Sequence, residues 1–438
     1  MRRLLLALLA TAFVAAIPVT FAQGNETAAP GEPAGIDATK ILLTLAVIIG
    51  LGFGGFLVFD RFRIADTIFL IGFGIFLAWV GFLDADLFRS FQPLVAAFAI
   101  LIILFDAGLE LRSSDLALSR TGWGIAFSTV GFILTVSLVA AVAHFVIGID
   151  WLLALLLGCA VADTAGLVIL PIVSQLGVPP KVRAALLVDS SLPDVFIIAS
   201  VLLLMSVAAP QDTGGTDFGS QAGNIAGGIA TTILLGLVVG ALWIRALGWL
   251  STRQYAYMTT LAMVLLLNWA VTEVGGSGPI AVLLFGIIIG NRELLGDWSE
   301  VGRQKVFRDM TQFNGEVAFL VRSFFFVYLG VILDLGSLNP TFVLTAFLIV
   351  GAILVARFIA VFSMSNRASG MRNYRGLLMA AIPRGTTAAV MSTLPASRGI
   401  SGTEAFASYA VVVILVTNLI FSVGVFWFFR GDSRASSS

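Results

Sequence analysis

Apolar runs long enough to cross a bilayer's hydrocarbon core as helices, about 20 residues each, recur along most of this chain. Short stretches bearing Arg, Asp, Gly and Pro part them. The pattern predicts 13 spans, over 41–59, 64–82, 92–111, 122–148, 151–176, 182–208, 224–249, 257–274, 277–291, 314–334, 341–365, 376–395 and 404–429. The ninth is short and is expected to tilt or to be shielded by protein.

Two spans look broken. Span 5 carries "GCAVADTAGLVILP" and span 12 carries "AAIPRGTTAAVMSTLP". Each mixes Gly, Thr and Pro with a charged residue at mid-membrane depth. Broken helices at matching positions of two halves point to an inverted-repeat transporter with a midplane site. The two breaks are seven spans apart, and an odd offset inverts topology, as that architecture requires. The expected fold is therefore an all-α polytopic membrane protein of about 13 transmembrane helices. Spans 4–6 and 11–13 form the paired repeats, a core bundle at about 122–208 and 341–430. The remaining spans, about 41–111 and 224–334, form a scaffold, and the whole membrane domain covers 41–430.

Composition supports a membrane protein. Of 438 residues, 59% are hydrophobic and 11% charged, where a soluble chain carries about a quarter charged; mean hydropathy is +1.03. The single cysteine, Cys159, permits no intramolecular disulfide and reads as a small core residue. The single histidine, His144, cannot build a multi-histidine metal site and reads as structural or interfacial. There is no nucleophile–base set, so an enzyme is not expected.

The first 22 residues, "MRRLLLALLATAFVAAIPVTFA", have the layout of a signal peptide, with Arg2 and Arg3 before an apolar run and small residues at its end. Residues 23–40 read as a flexible extracytoplasmic segment. Loop charge sets orientation. One set of loops holds 17 Lys and Arg residues and the other holds 3. The richer side is cytoplasmic, which puts the N-terminus outside and the C-terminus, with a short tail at 431–438, inside the cell membrane.

Ionisable residues within spans mark function by default. Span 6, "KVRAALLVDSSLPDVFIIAS", carries Asp189 and Asp194. Five residues apart, they point about 140° apart on a helix. Ser190 and Ser191 precede Asp194 by four and three residues and share its face. Pro193 lacks an N–H, so the Asp189 carbonyl loses its acceptor bond, and a helix break is expected there. Asp163 and Thr164 sit at the interruption of span 5. Carboxylates, hydroxyls and freed carbonyls suit a hard cation. Arg357 in span 11 needs an acid, and Asp189 is the natural candidate. Arg384, in the break of span 12, can offset exposed helix ends. Arg322 is expected to form an intrahelical or gate-lining pair with Glu316, and Asp106 and Glu110, four residues apart at a cytoplasmic helix end, read as structural.

At these residues the chain resembles the monovalent cation:proton antiporters, in particular the prokaryotic NhaP-like branch. "VADTAG" is similar to that family's Thr-Asp motif, placing Asp163 on its aspartate. "VDSSLPD" is similar to its Glu-Ser-x-x-Asn-Asp motif. Asp189 then stands on the glutamate, Ser190 on the serine and Asp194 on the essential ion- and proton-binding aspartate. "VARFIAV" and "IPRGTTAAV" match its two arginines, here Arg357 and Arg384. The chain departs from the pattern at Ala162, Pro193 and Asp189, which replace a threonine, an asparagine and a glutamate.

The resemblance implies a secondary antiporter exchanging Na+, or K+ or Li+, for H+ by alternating access, without a cofactor. Asp194, Asp163 and Ser190 are expected to hold the transported cation and the proton. Asp189, Arg357, Arg384, Thr164 and Pro193 support them. A homodimer in membrane lipid is implied, with no nucleic acid partner. An organic-anion symporter on the same architecture and a cation channel are the alternatives. With Asp189 held by Arg357 and no titratable group at Pro193, one cation per proton, electroneutral, is the expected stoichiometry.

Overall fold

The computed structural model describes residues 38–62, 65–81, 85–110, 122–173, 178–208, 218–250, 256–294, 301–333, 339–366 and 371–435. The expected signal peptide, 1–22, and most of the 23–40 segment lie outside these residues. The described chain is helical. In order come α1 (Ala38–Phe62), α2 (Asp66–Trp79), α3 (Ala85–Glu110), α4 (Trp123–Val142), α5 (Trp151–Ala160), α6 (Gly166–Val173) and α7 (Pro180–Ala208). There follow α8 (Phe218–Leu250), α9 (Ala256–Glu273), α10 (Gly278–Gly290), α11 (Val301–Ile332), α12 (Pro340–Ser365), α13 (Arg375–Ala380), α14 (Thr386–Ser397) and α15 (Phe406–Ala435).

Six of these carry windows long and apolar enough to cross a membrane: α4, α7, α8, α11, α12 and α15. All six fall on predicted spans. Other apolar segments are shorter, among them Trp151–Ala160 and Gly278–Gly290. α5 and α6 are the two halves of one interrupted span, and α13 and α14 of another. In each the interruption is a stretch outside any helix, at 162–165 and at 381–385.

Packing follows the residues. α4 lies against α7 and α12, and α14 touches α5, α7 and α15. A second set of contacts joins α10 with α3 and α8, and α11 with α1, α2 and α3. Gly108 on α3 and Gly286 on α10 let two backbones meet. A methyl on Gly108 would stand 2.6 Å from the Leu283 carbonyl oxygen, and one on Gly286 would stand 2.7 Å from that of Phe105. Small residues of this kind are how membrane helices gain dispersion contacts where lipid supplies no hydrophobic drive. The two sets meet where α3 and α11 touch α14, and where α2 touches α15.

α7 corrects one expectation. It runs unbroken through Pro193 from Pro180 to Ala208. A proline removes one N–H and strains one turn, and the turns on either side hold the helix together. The breaks occur instead where Gly, Pro, Thr and a charge coincide.

The remaining polar expectations sort out as follows. Cys159 is buried. His144 stacks on Trp151 with ring centroids 4.2 Å apart, and its Nδ1 lies 2.8 Å from the Ile149 carbonyl. Arg322 does not pair with Glu316. Its Nη2 lies 3.5 Å from Asp66 Oδ2, joining α11 to α2. Six residues apart on one helix, Glu316 and Arg322 are turned about 120° from each other. Asp106 accepts a hydrogen bond from Asn314 Nδ2 on α11, and the Glu110 side chain is outside the described residues.

Candidate ion site at the crossing of two broken helices

The two non-helical stretches touch where the Ala165 N–H donates to the Pro383 carbonyl at 2.8 Å. Backbone freed from helices inside a membrane must find partners in protein or lie against a water-filled cavity. Residues 383–385 find theirs in protein. The Arg384 N–H donates to Thr417 Oγ1 at 3.2 Å. The Arg384 carbonyl accepts from Asn418 Nδ2 at 2.8 Å. The Gly385 N–H donates to Asp163 Oδ2 at 2.7 Å.

Asp163 therefore caps the half-helix of the opposite break. Its Oδ2 takes the N–H of Gly385 and, at 3.3 Å, that of Ala388. The N-terminal end of α14, with its partial positive charge, favours a carboxylate there. Asp163 Oδ1 is buried and has no hydrogen-bond partner among the described residues.

Asp189 and Arg357 are joined as expected, with Arg357 Nη1 2.6 Å from Asp189 Oδ2. Arg357 Nε also donates to the Leu378 carbonyl at 2.7 Å, and its guanidinium lies 4.9 Å from the Phe127 ring. Both residues are buried. They line a cavity of about 20 Å³, shared with Ser128, Thr135, Thr164 and Arg384. A site of that size admits a water. Arg384 is buried within the fields of Asp163, Asp189 and Arg357. Its Nε has no hydrogen-bond partner among the described residues. Pro193 also borders the cavity.

Asp194 stands apart from this cluster. It is only partly buried and does not line the cavity. The hydroxyls of Ser190 and Ser191 both donate to the Leu187 carbonyl at 3.0 Å, which leaves their lone pairs as acceptors. Among the described residues no group of three or more His, Cys, Asp and Glu side chains forms a metal cage. Thr417 and Asn418 escaped the sequence reading; the signal available was an adjacent hydroxyl and amide in the apolar run "VVVILVTNLIFSVG".

Two interrupted apolar helices cross amid carboxylates and arginines, the arrangement of inverted-repeat transporter folds. Residues 41–431 match the family model described as sodium/hydrogen exchanger, transmembrane, and the chain belongs to this family. It is similar to the K(+)/H(+) antiporter NhaP2 of Shewanella baltica, 26% identical over 337 residues, covering 75% of this chain and 55% of that protein. It is also similar to the low-affinity Na(+)/H(+) antiporter NhaS1 of Synechocystis, 25% identical over 310 residues, covering 69% and 55%. The chain thus spans about half the length of these relatives. Its fold matches the solved sodium proton antiporter MjNhaP1 of Methanocaldococcus jannaschii, with a TM-score of 0.69 at 17% identity. That match covers 88% of this chain and 96% of the other.

Proposed function

We propose that the chain exchanges a cytosolic monovalent cation, Na+ before K+ or Li+, for an external proton by competition at Asp194. The contrast between its two span-6 aspartates carries this reading. Asp189 is 2% exposed and held by Arg357 at 2.6 Å, so it is a fixed countercharge. Asp194 is only partly buried, so a cation and a proton can each reach it from solvent. Ser190 lends a hydroxyl oxygen, and Asp163 lends its unpartnered Oδ1. Thr164 and Arg384 keep the breaks polar and balance charge. The same carboxylate cannot hold a cation and a proton together, and that exclusion is the coupling. The bundle containing both breaks rocks against the scaffold to alternate access. The protein works as a homodimer in the cell membrane, N-terminus outside and C-terminus inside.

Purified protein in liposomes with an imposed pH gradient and a proton-sensitive dye tests this. Each cation is added in turn. Antiport predicts gradient collapse that needs a cation and disappears in Asp194→Asn. Collapse with no cation requirement, or cation flux without proton counterflow, sinks the proposal.

A further inference from the structure

The peptide between Arg384 and Gly385 is held from both sides. Its carbonyl accepts from Asn418 Nδ2, and its N–H donates to Asp163 Oδ2. One residue earlier, the Arg384 N–H is taken by Thr417 Oγ1. We propose that Thr417 and Asn418 on α15 are positioning residues for the cation site, acting through this peptide on Asp163. The proposal rests on the reading that Asp163 supplies an oxygen to the cation.

Neither residue is there for packing alone. Both are fully buried, where an apolar residue would cost less. Each is also anchored in its own helix. Thr417 Oγ1 donates to the Val413 carbonyl at 2.7 Å, and Asn418 Nδ2 donates to the Ile414 carbonyl at 2.8 Å. Asn418 Nδ2 also donates to the Arg384 carbonyl and Thr417 Oγ1 accepts from the Arg384 N–H, while Asn418 Oδ1 has no hydrogen-bond partner among the described residues. α15 is thus a rigid backstop, tied to the break at two successive polar groups.

The direction of the hydrogen bonds matters. Asn418 donates into the carbonyl of the same peptide whose N–H donates to Asp163. Aligned hydrogen bonds polarise one another, so the Asn418 contact strengthens the grip on Asp163. That grip occupies Oδ2 and leaves Oδ1 as the oxygen presented to a ligand. If the peptide turns, Gly385 lets go and Oδ1 loses its aim. A misplaced ligand raises the cation concentration needed for half-maximal transport, without stopping the cycle itself.

The test uses the full chain in proteoliposomes, with Na+ as the probe, reading apparent KM and Vmax separately. Asn418→Leu removes the donor at similar volume, and Thr417→Val removes the hydroxyl. Both should raise KM about tenfold, the equivalent of one lost hydrogen bond, with a smaller effect on Vmax. Thr417→Ser keeps the hydroxyl and should restore KM. Asp163→Asn is the control for the underlying reading: a wild-type KM there refutes the role of Asp163 itself. If Asp163→Asn is impaired while Asn418→Leu and Thr417→Val keep wild-type KM, the clamp is refuted and the Asp163 role stands. Should Asn418→Leu fail to fold, the Thr417→Val and Thr417→Ser pair decides: KM unchanged in both overturns the proposal.

Discussion

Arg357 holds Asp189 at 2.6 Å and spends its Nε on the Leu378 carbonyl at the end of the interrupted span. One guanidinium therefore ties α7, α12 and the second broken helix together in a buried environment. Taking either partner away strands a charge. Arg357→Leu and Asp189→Asn should each destabilise the protein by about 3–5 kcal/mol, and the double variant by less than their sum. Thermal unfolding in detergent measures this. Additive losses would show that the two act separately.

Asp189 and Asp194 should separate by function. Asp194→Asn should abolish cation-dependent proton movement while leaving the melting temperature close to that of the parent. Asp189→Asn should do the reverse, lowering stability while measurable exchange survives in the folded fraction. Dye-based exchange normalised to folded protein distinguishes them. Residual exchange by Asp194→Asn at near-parent rate would remove it from the site.

Gly385 is where the two breaks touch most closely. A methyl there would stand 3.0 Å from Ala165 Cβ and 3.3 Å from Asp163 Oδ2. Gly385→Ala should cost about 1–3 kcal/mol, the usual range for overpacking. It should reduce exchange more than stability, because the crowded atom is the capping carboxylate oxygen. Ala165→Gly removes the nearer neighbour and should recover part of the stability. Melting temperatures and exchange rates of the single and double variants check both statements.

Much of this was legible in the sequence, for physical reasons. A lone arginine in an apolar run must find an acid, so Arg357 and Asp189 could be paired across 168 positions. Gly, Pro and a charge together cannot continue a membrane helix, so the breaks at Asp163 and Arg384 were visible. The proline in α7 misled because the loss of one hydrogen bond is local, and the helix absorbs it. Arg322 was assigned the nearest acid in sequence, whereas helical geometry turns Glu316 away and tertiary packing brings Asp66. Thr417 and Asn418 passed as ordinary span residues because their role is set by backbone groups 33 and 34 positions away. No side-chain pattern encodes that.

The Asp66–Arg322 contact gives a prediction of its own. Both side chains are mostly buried, so Arg322→Leu leaves Asp66 without its countercharge and should lower stability measurably. Glu316→Gln should stay within about 0.5 kcal/mol, as surface substitutions do. If Glu316→Gln costs as much as Arg322→Leu in thermal unfolding, Glu316 and not Asp66 is the working partner.

Stoichiometry follows from which carboxylates can change charge. Asp189 is locked against Arg357, and Pro193 adds no titratable group beside Asp194. Asp163 has one oxygen fixed by two backbone N–H groups, so it serves as a cap on the opposite half-helix. On the proposed mechanism Asp194 is the main alternating carrier, binding one cation in one half-cycle and one proton in the other. Each turnover should move no net charge. In liposomes the exchange rate should therefore be indifferent to a membrane potential clamped with an ionophore. On solid-supported membranes, addition of Na+ should give no transient current that scales with turnover. A reproducible current of that kind requires a second titrating group. Asp163 is the first candidate, because its Oδ1 is free to take a proton, and Asp163→Asn should then abolish the current.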